Sequence, residues 1–118
     1  NLVDPIQVAL TTSSRVGLIH NRFKNVIQSP TTLTAGVAGV APYIIATTQY
    51  GWVQTWGMCS VLINGTPAVN APVVAGGTTA GSVDVWTAAA QPTTNFVGHM
   101  AQVGVSTKNN FVNLMIEP

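Results

Sequence analysis

Two histidines (His20 and His99), three acids (Asp4, Asp84 and Glu117) and one cysteine (Cys59) are the residues of this 118-residue chain most suited to acid–base, nucleophilic or metal chemistry. A hydrolytic triad needs a nucleophile within hydrogen-bond reach of a base, with an orienting carboxylate behind it. Serines are present, but no motif joins one to either histidine. His99 lies in "VGHMAQ", an apolar run of strand character, where a histidine more often serves structure or an interface than catalysis. Glycoside hydrolysis would need two acids at a set separation. Here Asp84 lies mid-strand, Asp4 precedes a proline and Glu117 stands next to the terminus. Two isolated histidines and one thiol offer no metal-ligand cluster. "GGTTAGS" is rich in glycine but lacks the lysine of a phosphate loop, and Asn64-Gly65-Thr66 reads as a turn ahead of a glycosylation site. The expectation is a protein without catalytic residues, cofactor or metal.

The composition points to assembly. Charged residues make up 6% of the chain and hydrophobic residues 47%, whereas a typical soluble domain is about 25% charged. A surface of Thr, Asn, Gln, Gly, Ala and Val suits a protein largely covered by other protein. The net charge of +1 gives no field for nucleic acid. Arg15, Arg22 and Lys24 cluster around His20 and suit carboxylates on a protein partner better than phosphates. Cys59 sits in the apolar run "MCSVLI" as a small buried hydrophobe. No stretch reaches the roughly 18 apolar residues of a membrane helix, and none reads as a signal peptide. The start at Asn1 fits a processed product or a piece of a longer precursor.

These residues need a scaffold, and the chain reads as a single all-β domain, a small β-barrel with an extended N-terminal arm. Residues 1–34 lack a sustained period. Asp4-Pro5 and Ser29-Pro30 punctuate them, because a residue before proline is pushed to extended conformations. The first dozen residues read as an arm apolar enough to bind a neighbour, followed by short strands at "VGLIH" and "FKNVIQ". From Ala35 short β-rich runs alternate with Gly, Pro and Asn, which is the texture of a barrel or sandwich. Strands are expected at "AGVAGVA", "YIIATT", Tyr50–Thr55, "MCSVLI", "PAVNAPVV", "SVDVWT", "FVGHMAQVGVS" and "FVNLMIE", with a short helix possible at "VWTAAAQ". Asn64-Gly65 between apolar runs predicts a hairpin from Cys59–Ile63 to Thr66–Val69. In "QYGWVQTWG" a strand would put Trp52, Gln54 and Trp56 on one face. Rings so placed could close the barrel, fill an interface or stack on a ligand.

The stretch "AGVAGVAPYIIATTQYGWVQTWGMCSVLINGTPAVNAPVV", with "AGSVDV", "FVGHMAQVGVS" and "FVNLMIE" after it, resembles the head decoration (cement) proteins of tailed bacteriophages. The resemblance covers residues 35–117 and leaves 1–34 unmatched. At position 70, where the family carries Gly after the second hairpin arm, this chain has Asn70.

The resemblance implies a β-barrel of the β-tulip type. It further implies a homotrimer on the outer capsid surface of the virion, where it clamps adjacent copies of the major capsid protein. The capsid-binding arm would use Leu2, Val3, Ile6, Val8, Leu10 and Arg15, and Arg22, Lys24, Trp52, Gln54 and Trp56 are candidate interface residues. Direct contact with nucleic acid or membrane is not expected. Two other functions fit the same residues: a carbohydrate-binding or adhesin β domain that uses the aromatics, and a capsid subunit of a small virus.

Overall fold

The computed structural model describes residues 11–15, 17, 21–87 and 95–117. The arm residues Leu2, Val3, Ile6, Val8 and Leu10, most of "VGLIH" and the alanines of "VWTAAAQ" lie outside them. Five strands close into a barrel: β1 (Trp56–Ile63), β2 (Pro72–Ala75), β3 (Val83–Val85), β4 (Asn95–Met100) and β5 (Lys108–Met115), in the spatial order β1-β3-β2-β4-β5. No helix forms among the described residues. The all-β barrel read from the sequence is therefore observed.

Alternation explains how the long strands sit. In β1, Cys59, Val61 and Ile63 point inward, and in β5, Asn110, Val112 and Leu114 do the same while their neighbours face out. Pairing is antiparallel from Trp56 opposite Met115 to Ile63 opposite Lys108, so two inward rows meet across the ladder. Val73, Val83, Val97 and Met100 complete the core. On β4 the register with β2 slips, placing Val73 opposite Gly98 and Val74 opposite Phe96. The extra residue, Val97, is buried with the core, as a bulge permits. The β1–β3 seam is narrow: its one residue pair is Ile63 with Val83, in parallel orientation.

The Asn64-Gly65 hairpin does not form. Gly65 has φ 89°, but Asn64 is not among the positive-φ residues, so the two do not build the turn that needs both. The returning arm would also contain Pro67, which has no ladder donor. Pro67 instead accepts from Gly104 N at 2.8 Å, and β1 takes β5 as its neighbour. Asn70 stands at φ 62°, a left-handed conformation that Asn tolerates and Gly adopts freely. Its N–H donates to the Met100 carbonyl at 2.8 Å.

The strands expected at "FKNVIQ", "AGVAGVA", "YIIATT" and Tyr50–Thr55 are also absent. Before Trp56 the regular pairing in the described residues is one antiparallel bridge, Val40 with Gln54. Residues 28–35 form a strap along the barrel. Gly81 N donates to Ser29 O (2.8 Å), Gly77 N to Thr31 O (3.1 Å), and the Asn95 amide to Ala35 O (3.2 Å). These hydrogen bonds join the strap to the loop after β2 and to the start of β4, so the chain runs extended without entering the ladder.

The β4–β5 connection is held by a buried side chain. Asn110 accepts from Gln102 Nε2 and Val105 N, and its own amide donates to the carbonyls of Val105 and Lys108. Removing it would strand several polar groups beside the core, at about 1–3 kcal/mol for each one left dry. Asn110→Ala is expected to lower unfolding stability by about 2–3 kcal/mol, read as a drop in the urea midpoint at unchanged slope.

Candidate functional site: an exposed apolar finger and strip

Residues 41–53, "APYIIATTQYGWV", leave the barrel and return as a finger. Its base is the Val40–Gln54 bridge, with N–H···O distances of 2.9 and 2.7 Å. Its tip is a turn closed by Gln49 N donating to Ala46 O at 3.1 Å, with Thr48 at φ 68°. Between them the Trp52 N–H donates to the Tyr43 hydroxyl at 2.7 Å, and Ile45 packs so closely over Gly51 that a Cβ there would collide with it. The finger thus has internal ties, yet its large side chains point away from the barrel. Ile44 is 96% exposed, Trp52 is 84% exposed and Tyr50 is fully exposed.

At the finger's root the outer face of the barrel is apolar as well. The outward cross-strand pairs of β1 and β5 are Trp56 with Met115, Met58 with Asn113, and Ser60 with Phe111. Trp56, Met58, Phe111 and Met115 are all exposed. On neighbouring β4, His99 lies opposite Asn113 and meets Phe96 edge to face, ring centroids 5.2 Å apart. A solvated outer face would normally carry polar residues at these alternate positions. Between Lys24 and Asp84 the sequence contains no Asp, Glu, Lys or Arg. Neither the finger nor β1 therefore carries a charge.

The structure places the other candidates apart from one another. Trp52 is on the finger and Trp56 on the barrel strip, so the two do not share a strand face, and neither belongs to the core. Gln54 reaches forward along the chain, its Nε2 donating at 2.9 Å to the carbonyls of both Trp56 and Met58. It caps an edge of β1 that, among the described residues, pairs with β3 only at Ile63. Arg22 reaches the other end of the sequence, 3.0 Å from Glu117 Oε2, and also donates to the Val37 carbonyl. Both partners of that ion pair are nearly half exposed, so water screens it and it serves mainly to position residues 22–37. Arg15 and Lys24 are exposed. Sequence reasoning missed Ile44, Tyr50, Met58 and Phe111. Exposure of so many large apolar groups is the signal that finds them, and it exists only once the face of each is known.

The residues considered for chemistry are spread out. Asp84 and His99 lie on β3 and β4 with β2 between them, about 10 Å by strand spacing alone and beyond hydrogen-bond reach. Asp84 Oδ1 is buried and has no hydrogen-bond partner among the described residues. Among the described residues no three His, Cys, Asp or Glu side chains gather around a common point. A hollow of about 190 Å³ lined by Ile63, Asn64, Ser82 and Thr107 is smaller than a typical ligand pocket. Cys59 faces the core, where burial pushes its thiol up from the ordinary value. A raised thiol pKa means less thiolate at a given pH. Cys59 in the folded protein is expected to react with a disulfide reagent at pH 8 at least about tenfold more slowly than in urea, followed by absorbance of the released thiolate.

No protein-family model, curated protein or solved structure matches this chain.

Proposed function

We propose that this chain is a structural virion protein, a decoration or cement protein that binds the outside of a tailed-phage head and stabilises it by bridging major capsid subunits. The supporting observation is the uncharged surface of finger and strip, with Ile44, Tyr50 and Trp52 held out in solvent. A monomer free in solution has no use for so much apolar surface, whereas a protein that ends up covered by neighbours does. The resemblance of residues 35–117 to cement proteins supplies the particular neighbour.

In this mechanism the barrel is the rigid body and the N-terminal residues Leu2, Val3, Ile6, Val8 and Leu10 add as a strand to a capsid sheet. Backbone hydrogen bonds give affinity without charge, and alternate side chains give register. Arg15 and Lys24 meet capsid carboxylates, while Arg22 is engaged with Glu117 and positions the arm's root. Weak contacts repeated as trimers over a shell add through multivalency. Expanded heads of the encoding phage, sedimented with the purified protein, are expected to carry it at a saturating stoichiometry that falls when residues 1–20 are deleted. Absence of the intact protein from the pellet would overturn the proposal.

A second reading, a carbohydrate-binding or adhesin domain, is favoured by the exposed rings of Tyr50 and Trp52 on a loop tied by the Trp52 N–H to the Tyr43 hydroxyl. Exposed rings on a rigid loop can stack on sugars. A glycan panel that shifts tryptophan fluorescence at millimolar concentration, with no binding to heads, would select it.

A further inference from the structure

The finger and the strip are two different apolar surfaces on one chain, and each lacks a cover among the described residues. We propose that they cover each other between copies: the finger of one copy lies across the β1–β5 strip of the next, in a head-to-tail contact. This inference rests on the assembly reading above and names the surface by which copies recognise one another.

Three observations carry it. Area is the first. Aromatic side chains bury about 150–250 Å² each, so Tyr50, Trp52 and half of Tyr43, with the smaller Ile44 beside them, offer on the order of 600 Å². The half-exposed Trp56, Met58, Phe96, Phe111 and Met115 offer about 400 Å² more, and together they reach the roughly 1,000 Å² at which specific interfaces begin.

Shape is the second observation. The finger leaves the barrel with Ile44, Tyr50 and Trp52 in solvent and the strip lies on the outer face of the barrel, so finger on finger would leave both strips wet. Strip on strip would be obstructed by the finger, whose base at the Val40–Gln54 bridge lies just before Trp56 of the strip. Charge is the third. The finger carries none; on the barrel, Lys108 lies at the far end of β5, opposite Ile63, and Glu117, just past Met115, is already paired with Arg22. Nothing on either surface therefore demands a charged partner, and a second copy supplies both matching surfaces at once. Because the two surfaces differ, the contact is heterologous and propagates until a ring closes, which suits the trimer proposed above.

Light scattering on the full chain at about 100 μM, enough to populate a contact of micromolar Kd, is expected to give a closed oligomer. The double finger variant Ile44→Ser/Trp52→Ser and the strip variant Met58→Lys are each expected to be monomeric with near-native thermal melts. Should Met58→Lys fail to fold, Phe111→Lys takes its place. Mixing a finger variant with a strip variant leaves one good finger and one good strip, so the pair is expected to give a 1:1 dimer and nothing larger. Raising NaCl to about 1 M, where the Debye length is about 3 Å, is expected not to weaken the wild-type oligomer. The proposal is overturned by a monomeric wild type, by a folded strip variant that still forms the full oligomer, or by a variant mixture that stays monomeric. Head binding is read separately, so a wild type that pellets with heads yet is monomeric in solution removes this inference and leaves the decoration reading standing.

Discussion

Gly98→Ala is expected to prevent the barrel from closing. Gly98 lies on β4 between Leu114 of β5 and Val73 of β2, where the register slips. A Cβ built there falls on the carbonyl oxygen of Asn113 and stands 3.0 Å from Leu114 Cα. Those obstacles are backbone held in the β4–β5 ladder, so no side-chain rotation relieves the clash, and moving β5 would uncouple it from β1 as well. Overpacking that side chains can absorb costs about 1–3 kcal/mol. A backbone collision should exceed that range and take a large part of the 5–15 kcal/mol that holds a small domain together. The expected result is loss of cooperative urea unfolding and of near-ultraviolet dichroism. Gly36→Ala is the control: nothing lies within 4 Å of its added methyl, and a change within about 1 kcal/mol is expected.

The second large effect separates assembly from folding. Ile44→Ala/Trp52→Ala removes two side chains that touch mostly water, so unfolding stability should stay within about 0.5 kcal/mol per substitution. Binding to heads should fall by at least about tenfold, because copies that no longer hold one another through finger and strip bind singly and lose the multivalent gain. Ile63→Ala makes the opposite trade. Ile63 is wholly buried where β1 meets both β3 and β5, and the cavity should cost about 2–5 kcal/mol of stability. Sedimentation with heads and urea titration, run on the same preparations, read both quantities. A finger variant that loses stability while retaining head affinity would reverse the assignment.

Of the inward rows Cys59 was legible as interior from the sequence, and alternation carries the others there once the strand bounds are known. Cys59, Val61 and Ile63, and later Val112 and Leu114, recur at every second position, and the core uses them so. Side-chain type alone did not settle which residues of a run face out. Phe111 is larger than Val112 yet lies outside, because pairing with Ser60 puts it there. Partner choice was less legible still. The Asn64-Gly65 signal is local, whereas β1 finds β5, and no residue of "WGMCSVLI" names a partner so far along the chain. The same holds for Arg22 and Glu117, separated by 95 positions, and for Asn110, whose role appears only when four backbone and amide groups converge on it.

The finger shows why the site was harder to read than the fold. "YIIATT" and "QYGWVQ" have the β-branched and aromatic texture of strands, and in a ladder they would have been core or sheet surface. A short turn at Ala46–Gln49, the contact of Ile45 with Gly51 and the Tyr43–Trp52 hydrogen bond give them a local alternative. Texture reports that apolar side chains must be covered. It does not report whether the same chain or another molecule covers them.

That distinction is the centre of the account, and heat disruption of phage heads tests it most directly. Expanded heads lacking decoration are warmed with and without a saturating amount of the protein, and release of DNA or loss of intact particles is followed by dye fluorescence and electron microscopy. A clamp that binds intact heads and not separated subunits must raise the disruption temperature by mass action, so the predicted result is an upward shift that saturates with protein and disappears with Ile44→Ala/Trp52→Ala. An unchanged disruption temperature at a concentration that saturates the heads by sedimentation would contradict the account.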